Sequence, residues 1–301
     1  MASIDDLVDD WLRIDKDPET RREIEQLYHD GETAELEKRL LGRMTFGTAG
    51  LRARNEAGFT RMNSVTVIQA SQGLADYMLE QIPDARKRGV VLGHDARRNG
   101  NKFAKYAAAA FVDRGIKVYW FNRFVHTPMV PFAVTMLHAA AGVMVTASHN
   151  PANDQGYKVY WQNGCQIIPP IDSGIAASIE RNLDPRSWDL HNTEGSNPLV
   201  EDVSDRVIQA YIGRVTAFVA PQQPIDMPSF VYTPMHGVGL SFLDGVMRRV
   251  KAPSENTDGE SKSLMSASTV RRKHCARCGY CEAPLCCGDP KGVLAIKGLS
   301  S

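Results

Sequence analysis

The run from Gly142 to Trp161, GVMVTASHNPANDQGYKVYW, opens as a buried strand and then sets Ser148, His149, Asn150 and Lys158 close together. A hydroxyl, an imidazole and an amine are the side-chain types that carry groups and move protons. Asn150 favours turn geometry, and Pro151 fixes its own φ while removing a donor, so the strand stops where the serine is displayed. Two other polar clusters follow short apolar or glycine-rich runs: GHDARRNG, with Asp95 and Arg97, and FGTAGLRAR, with Arg52. Each residue also has a plainer use. Ser148 can serve as a turn residue, His149 can bond the backbone, and the arginines can be solvated surface charges.

Groups of this kind need a framework, and hydrophobic periodicity predicts one. DDLVDDWLRI, DPETRREIEQLYHD and ETAELEKRLL carry apolar residues at helical spacing, with Asp17 before Pro18 as a start and Gly31 as a stop. Further on, the helical patterns SVTVIQASQGLADYMLEQI, NKFAKYAAAAFVDRG and TPMVPFAVTMLH alternate with the strand patterns GVVLG, IKVYWFN and AAGVMVTAS. RMTFGTAGLRAR reads as a strand broken by a loop. This alternation predicts an α/β fold built from parallel βαβ units, with helices on both faces of the sheet. The polar clusters then fall just beyond the carboxyl ends of strands, the edge at which open α/β sheets bind ligands.

Composition excludes some partners. Lys plus Arg number 35 and Asp plus Glu number 35, so the formal net charge of zero supplies no field favouring nucleic acid or an anionic membrane. No apolar run approaches the roughly 18 residues of a membrane span, and the acidic, amphipathic N-terminus is unlike a secretion signal. Of six cysteines, only Cys165 precedes Cys275. The main body therefore reads as a protein of a reducing compartment, with the cytosol as the expected location.

The motifs together resemble the α-D-phosphohexomutase superfamily. TASHNP resembles its active-site serine loop, FGTAGLR its early glycine–arginine motif, GHDARRNG its Asp-x-Arg motif, QGYKVYW its Gly-x-Lys segment, and TPMHGVG (Thr233 to Gly239) the opening of its second domain. The motifs stand in the family's order. The helical lead-in and GYKVYWQNG look most like the phosphoglucomutase 2 or phosphopentomutase branch. The resemblance implies a phosphohexomutase domain I, with a mixed, mainly parallel sheet covered by helices, plus a fragment of a second similar domain. Its expected boundaries are a lead-in at 1–45, domain I at 46–203, the start of domain II at 204–250 and a divergent tail at 251–301.

The implied chemistry is phosphoryl transfer between C1 and C6 of a hexose phosphate, or C1 and C5 of a pentose phosphate, through a phosphoserine. Ser148 would be the phosphoryl carrier, and through its phosphate a ligand of Mg2+. Arg52 and Arg97 would hold phosphoryl oxygens, since planar guanidinium binds them bidentately. Asp95 would orient an arginine or cap the helix that follows, Asn150 would belong to the substrate-binding loop, and Lys158 and His149 would move the hydroxyl proton. The implied partner is a sugar phosphate, with glucose 1,6-bisphosphate as activator and intermediate.

The chain also departs from the family pattern. The Asp-x-Asp-x-Asp-Arg magnesium loop has no counterpart in these 301 residues, and DGES at Asp258 to Ser261 is a faint match to the sugar-recognition loop. The expectation is a C-terminally truncated form with an unrelated tail, little or no turnover, and no sequence basis for pentose or hexose preference or for oligomeric state. His274, Cys275, Cys278, Cys281, Cys286 and Cys287 crowd into that tail, at a spacing that could bind zinc but that also suits a replacement tail foreign to the fold.

Overall fold

Helix starts show in the sequence as side chains that take otherwise unpaired backbone N–H groups. Helix α1 (Ile4–Ile14) opens on a capping box in which Asp6 N donates to Ser3 Oγ at 3.1 Å and Ser3 N donates to Asp6 Oδ2 at 2.9 Å. Helix α2 (Pro18–His29) starts on Asp17 with Pro18 at its first position, and Gly31 beyond its end has φ 71°. Helix α3 (Thr33–Leu40) completes the layer. The computed structural model of the chain describes residues 3–193, 197–219, 230–232, 234, 237–251 and 294–296. The tail residues that could bind zinc and the DGES segment lie outside these residues, as does part of TPMHGVG.

The lead-in helices share a core with the segment that follows the first strand. Val8, Trp11, Ile24, Leu36 and Leu40 are buried with Ala57, Phe59 and Val65, and Trp11 meets Phe59 edge-on at 5.1 Å between ring centroids. Asp17 adds a polar tie, accepting from Ser64 Oγ at 2.9 Å and from Lys102 Nζ at 2.5 Å.

The next elements are β1 (Leu51–Arg54), α4 (Ser64–Gln81), the short α5 (Ala85–Arg88), β2 (Val90–His94), α6 (Gly100–Asp113), β3 (Val118–Trp120), α7 (Met129–Leu137), β4 (Ala141–Val145), β5 (Asp154–Trp161), α8 (Ile171–Glu180) and β6 (Val200–Asp202). They form one six-stranded sheet in the order β1-β5-β4-β2-β3-β6. The pairings β4–β2, β2–β3 and β3–β6 are parallel, whereas β5 runs antiparallel to both β4 and β1. The sheet is thus mixed and mainly parallel.

Strand side chains alternate between faces. Val90, Leu92, Val143 and Val145 join the core made with α4, α6 and α8, including Leu74, Phe103, Phe111 and Ile175. On the opposite face α7 lies very close to the sheet: a Cβ on Gly142 would meet Val134 Cγ2 at 2.6 Å and Val130 Cγ1 at 2.7 Å. Glycine there is what lets the helix approach.

The chain divides into two compact units, Met1–Ser204 and Asp205–Ser301. Most of α9 (Ser204–Val219) lies in the second unit, with β7 (Phe230–Tyr232), α10 (Leu240–Lys251) and β8 (Leu294–Ile296), and β7 pairs antiparallel with β8. That strand lies in the stretch the sequence suggested was an irregular tail. Among the described residues no helix is long and apolar enough to cross a membrane.

Candidate active site

The serine loop hangs between β4 and β5. Thr146 N donates to Gly156 O at 3.0 Å, Asn150 N to Ala147 O at 3.1 Å and Asp154 N to Pro151 O at 3.0 Å, which closes the loop tightly beyond Val145. At its apex Ser148 is exposed and has φ 53°, a left-handed conformation that costs a non-glycine residue about 1–2 kcal/mol. Such strain persists where the surroundings over-determine it, and it concentrates at functional sites.

Every polar group of Ser148 has a partner. Its hydroxyl Oγ accepts from Lys158 Nζ at 2.7 Å, its carbonyl accepts from Arg97 Nη2 at 2.7 Å, and its amide donates to Thr146 Oγ1 at 2.8 Å. Lys158 comes from β5, where it pairs in register with Met144 of β4. Burial, and next the neighbouring Arg52 charge, push the Lys158 ammonium below the ordinary lysine value, while Asp95 partly opposes them.

Arg97 is placed differently from its sequence expectation as a phosphate holder. Its Nη1 donates to Pro151 O at 2.8 Å and Asp154 O at 2.9 Å, and its Nη2 reaches Asn150 O at 2.6 Å besides Ser148 O. The guanidinium therefore clamps the serine loop by its carbonyls. Asp95 supports this clamp: Oδ1 accepts from Arg97 N at 3.1 Å and Oδ2 lies 3.8 Å from Arg97 Nε. The other use suggested for Asp95, capping the next helix, is not seen, because α6 starts from Asn99 in a left-handed conformation.

Arg52, exposed on β1, donates from Nη1 to Asn150 Oδ1 at 3.2 Å, and Asn150 Nδ2 donates to Asp154 Oδ2 at 2.9 Å. The glycine of FGTAGLR explains how β1 comes so near: Gly50 has φ 72° and leaves no room for a Cβ beside the Tyr157 carbonyl of β5. His149 is exposed, and among the described residues its ring meets no hydrogen-bond partner. Ser148, Lys158, Arg52, Arg97, Asp95 and Asn150 are thus joined in one network, with His149 beside it.

Two contributors escaped the sequence reading. Thr146, 1% exposed, donates from Oγ1 to Asp95 Oδ2 at 2.5 Å while accepting from Ser148 N. His94, also 1% exposed, lies under the Asp95 loop, with Nδ1 3.0 Å from Asp95 O and Nε2 3.2 Å from Asn101 Nδ2. Burial lowers its proton affinity, and the neutral ring fits one donor and one acceptor contact. His94 ends buried β2 and Thr146 directly follows buried β4, and nothing in an apolar run marks which polar neighbour will be bonded.

A magnesium ion does not fit the described residues. The carboxylates of the network are Asp95, bonded to Thr146 and Arg97, and Asp154, bonded to Asn150. Among the described residues no group of three or more His, Cys, Asp or Glu side chains could hold a metal ion. A hard divalent cation needs about six oxygen ligands. A cavity of about 330 Å3 lies elsewhere, lined by Arg43, Phe46, Phe59, Gln69 and Ile179 among others.

Fold and site together define an α/β/α domain that presents a strained serine, touched by a lysine and flanked by arginines, at the carboxyl ends of the parallel strands of a mixed sheet. Residues 43–186 match the phosphoglucomutase/phosphomannomutase family, alpha/beta/alpha domain I. The chain is 49% identical over 247 residues to the "Probable phosphoribomutase" of Schizosaccharomyces pombe, covering 81% of this chain and 42% of that protein. It is 40% identical over 266 residues to the phosphopentomutase of Homo sapiens (82% of this chain, 42% of that protein). It is also 40% identical over 250 residues to the glucose 1,6-bisphosphate synthase of Homo sapiens (80% and 40%). Over residues 43–186 the chain is thus similar to domain I of the phosphoglucomutase/phosphomannomutase family. It spans about two fifths of the length of the curated relatives it matches.

Proposed function

We propose that this chain carries the phosphoserine domain of a sugar-phosphate mutase, with Ser148 as phosphoryl carrier between the C1 and C6 oxygens of a hexose phosphate or C1 and C5 of a pentose phosphate. The observation that supports this most is Ser148 held left-handed at the loop apex with Lys158 Nζ 2.7 Å from its Oγ. When the phosphoserine gives up its phosphoryl group, the P–Oγ bond breaks and Oγ takes a proton, and Lys158 is in contact to supply it. On return of the phosphoryl group the proton goes back. A lysine with lowered proton affinity suits both directions. Arg52 offers an exposed guanidinium to phosphoryl oxygens, Arg97 holds the loop that presents the serine, Asn150 links the two, and His149 is a second candidate to move a proton of the substrate hydroxyl.

Domain I at 46–203, the helical lead-in before it and a location in the cytosol belong to the same reading, as does glucose 1,6-bisphosphate as phosphoryl donor. Magnesium is implied by the family but has no ligand set among the described residues, so no step is routed through it. For that reason slow or absent turnover by these 301 residues is part of the proposal. A coupled mutase assay with magnesium, on glucose 1-phosphate and ribose 1-phosphate, tests it beside Ser148→Ala. Turnover lost in the variant supports the carrier role; turnover that survives in the variant sinks it. A folded chain with neither turnover nor a phosphoryl group on Ser148 would favour a second reading, a ligand-binding or partner-binding domain, which the lack of a magnesium ligand set among the described residues supports.

A further inference from the structure

We infer that Thr146 is a positioning residue for Ser148: its hydroxyl, oriented by Asp95, fixes the serine amide and so selects the left-handed apex from which the serine would react. The inference rests on the reading of Ser148 as phosphoryl carrier. Three bonds hold Ser148, but only one fixes its backbone from a group that bonds no other residue of the serine loop. Lys158 touches Oγ, the atom that changes in any transfer, and Arg97 distributes its bonds over four carbonyls. Thr146 holds the backbone N–H itself, at 2.8 Å.

The arrangement has a chemical requirement. Thr146 Oγ1 gives its proton to Asp95 Oδ2 at 2.5 Å, which leaves a lone pair for Ser148 N. One atom must be donor and acceptor at once, and among side chains that replace threonine without changing the backbone, serine meets this condition and valine does not. Thr146 is itself fixed, being 1% exposed and held at N by Gly156 O of β5 at 3.0 Å. Asp95 thus directs two restraints on the serine, one through Thr146 and one through Arg97. Neither restraint is made through Oγ, the atom that phosphorylation alters, so the apex is expected to keep its geometry with and without the phosphoryl group.

Two readouts on the full chain separate this inference from the carrier reading. Amide hydrogen exchange at Ser148, compared among the unaltered protein, Thr146→Val and Thr146→Ser, addresses the bond directly. The valine variant should exchange at least about tenfold faster at Ser148 than the unaltered protein, a change equal to about 1.4 kcal/mol, while protection in β2 and β4 persists, and the serine variant should restore it. Equal protection in the valine variant and the unaltered protein overturns the inference. Loss of protection throughout the sheet in the valine variant would assign the hydroxyl a general structural role instead, and would equally overturn it. The second readout is the rate of Ser148 phosphorylation by glucose 1,6-bisphosphate: the valine variant should lower the maximal rate at unchanged half-saturating concentration, with rescue by serine. If the unaltered protein takes no phosphoryl group, the carrier reading fails while the exchange comparison still decides the role of Thr146.

Discussion

Lys158 is the proposed proton partner of Ser148, and its environment makes that proposal testable. Because burial and Arg52 lower its proton affinity, Arg52→Met should raise the Lys158 titration midpoint back towards the ordinary 10.5, read by NMR titration of the side chain. An unchanged midpoint would remove Arg52 from the account. The same lowering affects stability. Between the folded midpoint and 10.5 the unfolded chain holds more protons than the folded one, so this group makes stability rise with pH across that window. Arg97 acts through the backbone. Arg97→Ala removes the donors to four loop carbonyls, and should lower unfolding free energy in urea by about 2 kcal/mol and increase amide exchange through 148–154. Wild-type exchange in that loop would contradict the clamp. Motif order named Ser148, Lys158, Arg52 and Asn150 from the sequence, and the structure brings them together. The carbonyl contacts of Arg97 were not readable there, since its partners lie about fifty positions away.

At the scale of elements, the site depends on how closely α7 and β5 approach the strands they serve. Gly142→Ala would drive a methyl into Val130 and Val134, and the helix must move or the strand must bend. The expected cost is about 1–3 kcal/mol, seen as a lower urea midpoint with an unchanged slope. An unchanged midpoint would mean that α7 sits farther from the sheet than described. Helices α4, α6 and α7 were readable from periodicity, and α2 from Asp17, Pro18 and Gly31. Strand β5 was not, because Asp154, Gln155 and Lys158 interrupt its apolar pattern and its partners, β1 and β4, lie antiparallel to it. A parallel βαβ rhythm carries no sign of such a hairpin return, and yet this strand delivers the lysine to the serine. The N-terminal helices read as a lead-in, whereas Trp11 on Phe59 makes them part of the same packed unit, a contact no local pattern could reveal.

At the scale of the whole molecule, the domain offers an exposed, left-handed serine in contact with a lysine but, among the described residues, no ligand set for a divalent cation, and the chain spans about two fifths of its curated relatives. The account therefore separates loading of the serine from turnover of a sugar phosphate. Loading needs Ser148, Lys158 and a phosphoryl donor, whereas turnover also needs groups that grip the sugar and neutralise the transferring charge. The most direct measurement is peptide mass spectrometry of the full chain after incubation with glucose 1,6-bisphosphate and magnesium, beside Ser148→Ala and Lys158→Met. The account predicts one phosphoryl group on the peptide containing Ser148, none there in the alanine variant, and slower loading in the methionine variant. A phosphoryl group found on another residue, or no labelling of a folded sample, would contradict it.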